Sequence, residues 1–255
     1  MPEDQPGFVH YLPIATTLLS VAFLVAISAR AIPRKWPPHL LWWAIGVFFY
    51  GLGTALESSV TLFGNTEILN RLWYWAGAIL GGYPLATGTV YLLMDRGRAN
   101  LLTAISMVLV LTGTVAVLFI TPIDGSVIAA NPHRPLGDAI GMGWVRLLTP
   151  FINGYAALFL VGGAIYSSAK FASFGTQGRR ALGTASIAFG GILPGIGGGM
   201  AKAGVVEALY VGELVGLAFI WIGFHLCVTA PRFTPATETP RAESEASTAP
   251  RTAPA

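Results

Sequence analysis

Seven long apolar runs constrain this chain more than any other feature. They cover Phe8–Ile32, His39–Phe63, Leu69–Met94, Leu101–Thr121, Trp144–Ser168, Arg180–Ala203 and Val205–Thr229. A helix needs about 20 mostly apolar residues to cross a bilayer, and each run supplies them. Alternating segments of barrel type are absent, so helices are the spanning structure that satisfies every backbone polar group internally. Charged residues are only 11% of the 255, against 54% apolar. A soluble domain carries about 25% charged residues. The composition excludes a soluble enzyme and a disordered chain. With Cys227 the only cysteine, it excludes a disulfide scaffold too. The expected fold class is all-α: an integral membrane seven-helix bundle over residues 1–230, followed by a disordered cytoplasmic tail over residues 231–255 that is rich in Pro, Ala, Thr and Glu.

The basic residues read as topology signals. Arg30, Arg34, Lys35, Arg96, Arg98, Lys170, Arg179, Arg180, Arg232, Arg241 and Arg251 fall on one side, which is eleven of fifteen. Arg71, Arg134, Arg146 and Lys202 fall on the other. The positive-inside rule places the larger set in the cytoplasm, with the N-terminus outside and the C-terminus inside. No cleavable signal peptide is expected, because the start, MPEDQPG, is acidic and the first apolar run is too long. The net charge of +3 is no sign of nucleic-acid binding, since it is spread over these loops. The longest connection, Pro122–Gly143, reads either as an irregular crossover or as a lid.

Glycine is abundant, 31 residues, and forms GxxxG pairs at Gly77–Gly81, Gly191–Gly195, Gly195–Gly199 and Gly212–Gly216. Such pairs let helix backbones approach closely. Pro194, set among glycines, marks the sixth span as the expected hinge, and Pro84 and Pro150 are expected to bend the third and fifth. Trp36, Trp42, Trp43, Trp73, Trp75 and Trp144 fit interfacial belts, with Trp73, Tyr74 and Trp75 as alternative pocket walls.

Ionisable groups inside a membrane are costly and point to function. Glu57 and Glu213 lie within the second and seventh runs, both in the outer half. Tyr50, Thr54, Glu57 and Thr61 share one helical stripe, and Tyr210, Glu213 and Leu217 share another. Arg71, Arg146 and Lys202 lie on the same side, with Asn153 two turns below Arg146. The expected ligand-binding set is Glu57, Arg71, Tyr74, Arg146, Asn153 and Glu213, lining a polar cavity open to the outside. The competing reading is structural, with Glu57–Arg71 or Glu213–Arg146 as simple ion pairs. The four histidines are scattered, so no metal site and no cofactor is expected. HExxH, GxSxG, Walker A and GxGxxG patterns are absent, which argues against an enzyme. A retinal protein would need a lysine deep in the last span, and none is there.

The segment from Trp42 to Leu93 resembles the seven-helix membrane sensor region at the N-terminus of many bacterial histidine kinases and diguanylate cyclases. The likeness rests on Ala55-Leu56-Glu57 ending one span, on Trp73, Tyr74 and Trp75 opening the next with Pro84 beyond its middle, and on Leu193-Pro194-Gly195 in the sixth. It implies a sensor in a bacterial cytoplasmic membrane, signalling through a partner because no output domain follows. The function expected is therefore a receptor-like sensor or ligand-binding module, taking a small-molecule or lipid ligand and a membrane or cytoplasmic protein partner. The alternatives are an accessory subunit of a larger membrane complex and a small-solute transporter.

Overall fold

The computed structural model describes residues 7–174 and 177–231. Seven helices in it are long and apolar enough to cross a membrane: Phe8–Arg34, Pro38–Phe63, Glu67–Leu93, Arg96–Ile120, Gly143–Ser173, Gly178–Lys202 and Glu207–Thr229, called spans 1 to 7. The chain is a multi-pass membrane protein and an all-α bundle. The expected tail lies outside the described residues, apart from Pro231. Spans 1, 3, 5 and 7 begin at one end of the bundle, the near end, and spans 2, 4 and 6 begin at the far end.

Local chemistry sets the helix boundaries. Pro38 occupies the first turn of span 2, where its missing N–H costs nothing. The Thr66 hydroxyl accepts from Leu69 N at the start of span 3, and the Asp95 carboxylate accepts from Arg98 N at the start of span 4. Gly64, at φ +87°, ends span 2 in a conformation that only glycine adopts freely.

Span 3 is the central helix. Of its apolar stretch 61% is buried, against 28–39% for the other six. It is also the least regular span. An α-helical turn pair, Glu67–Trp73, widens into π-helix over Tyr74–Ile79, breaks at Leu80–Gly82, and resumes as α-helix over Tyr83–Leu93. Pro84 sits in the first turn of the second half, so the expected bend is a full interruption. Spans 4 and 5 also carry π-helical turns, at Ala116–Ile120 and Ala157–Gly162. In span 5 the irregular turn follows Pro150 by two turns.

Spans 6 and 7 form the tightest pair, and glycines make it so. A methyl group on Gly183, Gly190 or Gly197 would run into the backbone of span 7. Gly212, Gly216 and Gly223 are equally tight against span 6. The span 6 contact glycines recur every seven residues, the spacing that keeps one face of a helix on its neighbour in a left-handed crossing. The GxxxG reading holds for Gly212–Gly216 but is corrected in span 6, where Gly195 and Gly199 have nothing within 4 Å of the position a methyl would take. Span 6 runs as continuous helix through Pro194. The Pro194 ring packs on Gly216, 2.9 Å from where a Cβ would stand. Because proline has no N–H, the Gly190 carbonyl loses its partner within the helix. That oxygen lies against Gly216 instead, 2.7 Å from the same Cβ position.

The indoles also depart from expectation. Trp36 and Trp144 are exposed, but Trp42, Trp43, Trp73 and Trp75 are half-buried between helices. Trp43 Nε1 donates to the Leu85 carbonyl (3.2 Å) and Trp75 Nε1 donates to the Thr114 hydroxyl (3.3 Å). An indole inside a bundle needs such an acceptor.

The connection from Pro122 to Gly143 is an ordered cover. It contains a short helix, Gly125–Ala129, and an isolated bridge between Ile123 and Ile140. Two asparagines stitch it to the near end of spans 2 and 3. Asn65 donates to the Arg134 carbonyl (2.9 Å), and fully buried Asn70 donates to Leu136 O (3.0 Å) while accepting from Leu136 N (2.8 Å).

Candidate functional site

Two carboxyl groups meet inside the bundle. Glu57 of span 2 is 1% exposed. Glu213 of span 7 approaches it so closely that the two side chains are within hydrogen-bonding reach. As carboxylates, neither can donate to the other. Glu57 Oε2 and Glu213 Oε2 are accordingly buried without a donor.

Packing of small residues sets this geometry. Spans 2 and 3 run antiparallel and touch at Gly53 and Gly77, where a methyl on Gly53 would lie 3.3 Å from Gly77 Cα. One turn beyond Gly53 is Glu57, and one turn before Gly77 is Trp73. The close crossing brings these two together, and Trp73 Nε1 donates to Glu57 Oε1 (2.7 Å). On the other side, the Tyr50 hydroxyl donates to the backbone carbonyl of Glu213 (2.9 Å), which fixes span 7 against span 2. The polar stripe of span 2 thus faces inward. The Thr54 and Thr17 hydroxyls pair at 2.9 Å, and the Thr61 hydroxyl donates to the His10 carbonyl (3.2 Å).

Tyr210 completes the group. It is fully buried, one turn before Glu213, and within electrostatic reach of both carboxyls, yet its hydroxyl has no partner. Its ring meets the His10 imidazole edge to face at 5.6 Å, and His10 Nδ1 is also buried without a partner. Four unpaired polar atoms from spans 1, 2 and 7 therefore cluster at the near end. Most buried polar groups have a partner, and an unpaired one costs about 1–3 kcal/mol.

The other expected site residues lie elsewhere. Arg71 does not reach Glu57; its Nη1 donates to the Val117 and Thr121 carbonyls, which the π-helical end of span 4 leaves open. Arg146 does not reach Glu213; it pairs with Asp138 of the loop. Tyr74 is buried in a separate cluster, where its hydroxyl meets that of Thr149 at 3.1 Å. Asn153 is exposed on the outer face of span 5. Lys202 is exposed as well. Among the described residues the only ion pairs are Arg98–Asp95 and Arg146–Asp138. Both expected Glu–Arg pairs are thus absent, and the cations are spent on loop and helix ends. The six residues do not line one cavity. The candidate site reduces to Glu57 and Glu213, with Tyr210, Tyr50, Trp73 and His10 around them. Tyr50 and Tyr210 were legible on the same two stripes, and Trp73 was read as an interfacial anchor or a pocket wall; nothing in the sequence pointed to His10.

Among the described residues no cluster of metal-binding side chains is found. The chemistry available is that of a paired acid. Such a pair can hold a cation or a proton between its two carboxyls, with phenol and imidazole nearby. No protein-family model, curated protein or solved structure matches this chain.

Proposed function

We propose that the chain is a receptor-like membrane sensor whose stimulus is a cation, the proton included, taken up between Glu57 and Glu213. The observation behind this reading is the facing carboxyls of buried Glu57 and half-buried Glu213, with an enclosed, unpartnered oxygen on each and no basic side chain within ion-pair distance among the described residues. Two like charges in a medium of low dielectric repel strongly, and a buried charge left unpaired is costly. A shared proton or a bound cation removes both penalties. Occupancy then has a mechanical outlet. Glu213 is next to Gly212, which abuts the Leu193 carbonyl of span 6 at the residue before Pro194. A change in how tightly span 2 holds Glu213 is passed straight to the glycine seam, whose two faces fit in one register. A ligand shifts such an equilibrium by its difference in affinity between the two arrangements.

The test is thermal unfolding of the purified protein in mild detergent, scanned across pH and across sodium, potassium and small organic ammonium ions. The wild-type midpoint should respond to acidification or to one of these ions. E57Q, E213Q and the double variant should lose that response. An unchanged response in all three variants would overturn the assignment.

A second reading, ion-coupled transport, is favoured by the break at Leu80–Gly82 in the central span. Interrupted helices border the ion pathways of many transporters. Flux of the responding ion into proteoliposomes would select transport, and its absence would select sensing.

A further inference from the structure

A surface groove of about 360 Å³ lies at the far end, between spans 1 and 7, away from the carboxyl pair at the near end. Its walls are Ala26, Ala29, Arg30 and Arg34 on one side and Trp221, Phe224, His225 and Val228 on the other. The two halves of the groove differ in chemistry. Toward the middle of the membrane it is apolar, with small alanines facing large aromatics. The Trp221 indole stacks on Phe23 at 5.6 Å and 17°, which orients that wall. Toward the surface the groove is cationic. Arg30 and Arg34 are one turn apart on the same face, and the Arg34 guanidinium is drawn back over Arg30 by its bond to the Arg30 carbonyl (2.9 Å).

Neither arginine has a carboxylate within ion-pair distance among the described residues. By contrast, Arg98 at the same end is paired with Asp95. Two guanidiniums crowded at one helix end repel each other unless an anion lies between them. Guanidinium forks match phosphate geometry, and basic pockets between membrane helices suit acidic headgroups. An apolar slot running from such a pair toward the membrane interior has the shape and polarity of an acyl chain.

We infer that this groove binds one anionic phospholipid, with the headgroup phosphate between Arg30 and Arg34 and an acyl chain along Ala26, Ala29 and Trp221. The experiment is native mass spectrometry of the purified chain exchanged with phosphatidylglycerol, phosphatidylcholine or inorganic phosphate. Phosphatidylglycerol should be retained about 30-fold more strongly than phosphatidylcholine, as expected for two arginines at a membrane surface. R30Q/R34Q should abolish the preference and R30K/R34K should keep most of it. A29F, which fills the slot without touching a charge, should weaken retention of the lipid. R96Q/R98Q, neutralised at the same end, should change nothing. Equal retention of the two lipids, an unchanged preference in R30Q/R34Q, or full retention in A29F would each overturn the inference. Displacement of phosphatidylglycerol by millimolar inorganic phosphate would also overturn it, by showing an anion site indifferent to the lipid.

Discussion

Gly197 and Gly198 are neighbours in one helix, and the structure assigns them opposite fates when each is changed to alanine. A methyl on Gly197 would stand 2.6 Å from the Ala208 carbonyl oxygen and 2.8 Å from Leu209 Cα. Ordinary contact begins near 3.4 Å, so spans 6 and 7 would have to part by about 0.8 Å at this point. A gap of that size forfeits about a quarter to a half of each atom–atom attraction it opens. Forced overpacking of this kind costs about 1–3 kcal/mol. A methyl on Gly198 meets nothing within 4 Å. Both substitutions gain the same helix propensity of about 1 kcal/mol, so it cancels in the comparison. The difference in unfolding free energy between G197A and G198A should therefore be about 1–3 kcal/mol, with G197A the weaker. Equilibrium unfolding in mixed detergent micelles measures it. Equal stabilities, or a weaker G198A, would refute the glycine seam as the element that holds spans 6 and 7 in register.

Other substitutions separate structural from functional roles. W73F removes the donor to Glu57 Oε1 and should cost about 1–3 kcal/mol in the same unfolding assay. It should also alter the cation response, which a merely packing tryptophan would leave alone. R71M strips the Val117 and Thr121 carbonyls of their donor and should cost about 1–3 kcal/mol, while the response to cations or pH stays intact; loss of that response would return Arg71 to the site. D138N breaks an ion pair whose two side chains are 42% and 82% exposed, and thermal unfolding should move by less than about 1 kcal/mol. N70L, which removes both hydrogen bonds to Leu136, should free the segment from Pro122 to Gly143 and show faster amide exchange there.

The seven crossings were legible because a bilayer imposes length and apolarity on each span separately, and both are local properties of a sequence. Glu57 and Glu213 were legible for the same reason: a carboxyl in an apolar run stands out without knowledge of its neighbours. Their partners were not. Arg71 and Arg146 lie on the expected side, but which group an arginine reaches depends on irregular backbone that leaves carbonyls open, as at the end of span 4, and on a loop whose course follows from Asn65 and Asn70. Face assignment failed where several faces carry the same residue. Span 6 has glycines all round, so GxxxG spacing cannot tell Gly190 and Gly197, which touch span 7, from Gly195 and Gly199, where a methyl would meet no other span. The tryptophans misled because an indole near a helix end suits a lipid interface and an interior acceptor equally well. The interruption of span 3 follows from Gly81 and Gly82 before Pro84, a pattern that read only as a bend.

Glu57 and Glu213 form one site only if each senses the other, and a double-mutant cycle measures that coupling. Unfolding free energies are measured for the wild type, E57Q, E213Q and E57Q/E213Q. At a pH high enough to ionise both carboxyls, and with no cation that the pair takes up, a single glutamine supplies an amide donor to the opposing carboxylate and removes one of two facing charges, so each single variant should then be more stable than the wild type. The second glutamine has nothing left to relieve, so the double variant should be no more stable than either single one, a departure from additivity of about 0.5–3 kcal/mol. Additive effects, within about 0.3–0.5 kcal/mol, would show two carboxyls that do not sense each other and would contradict the site itself.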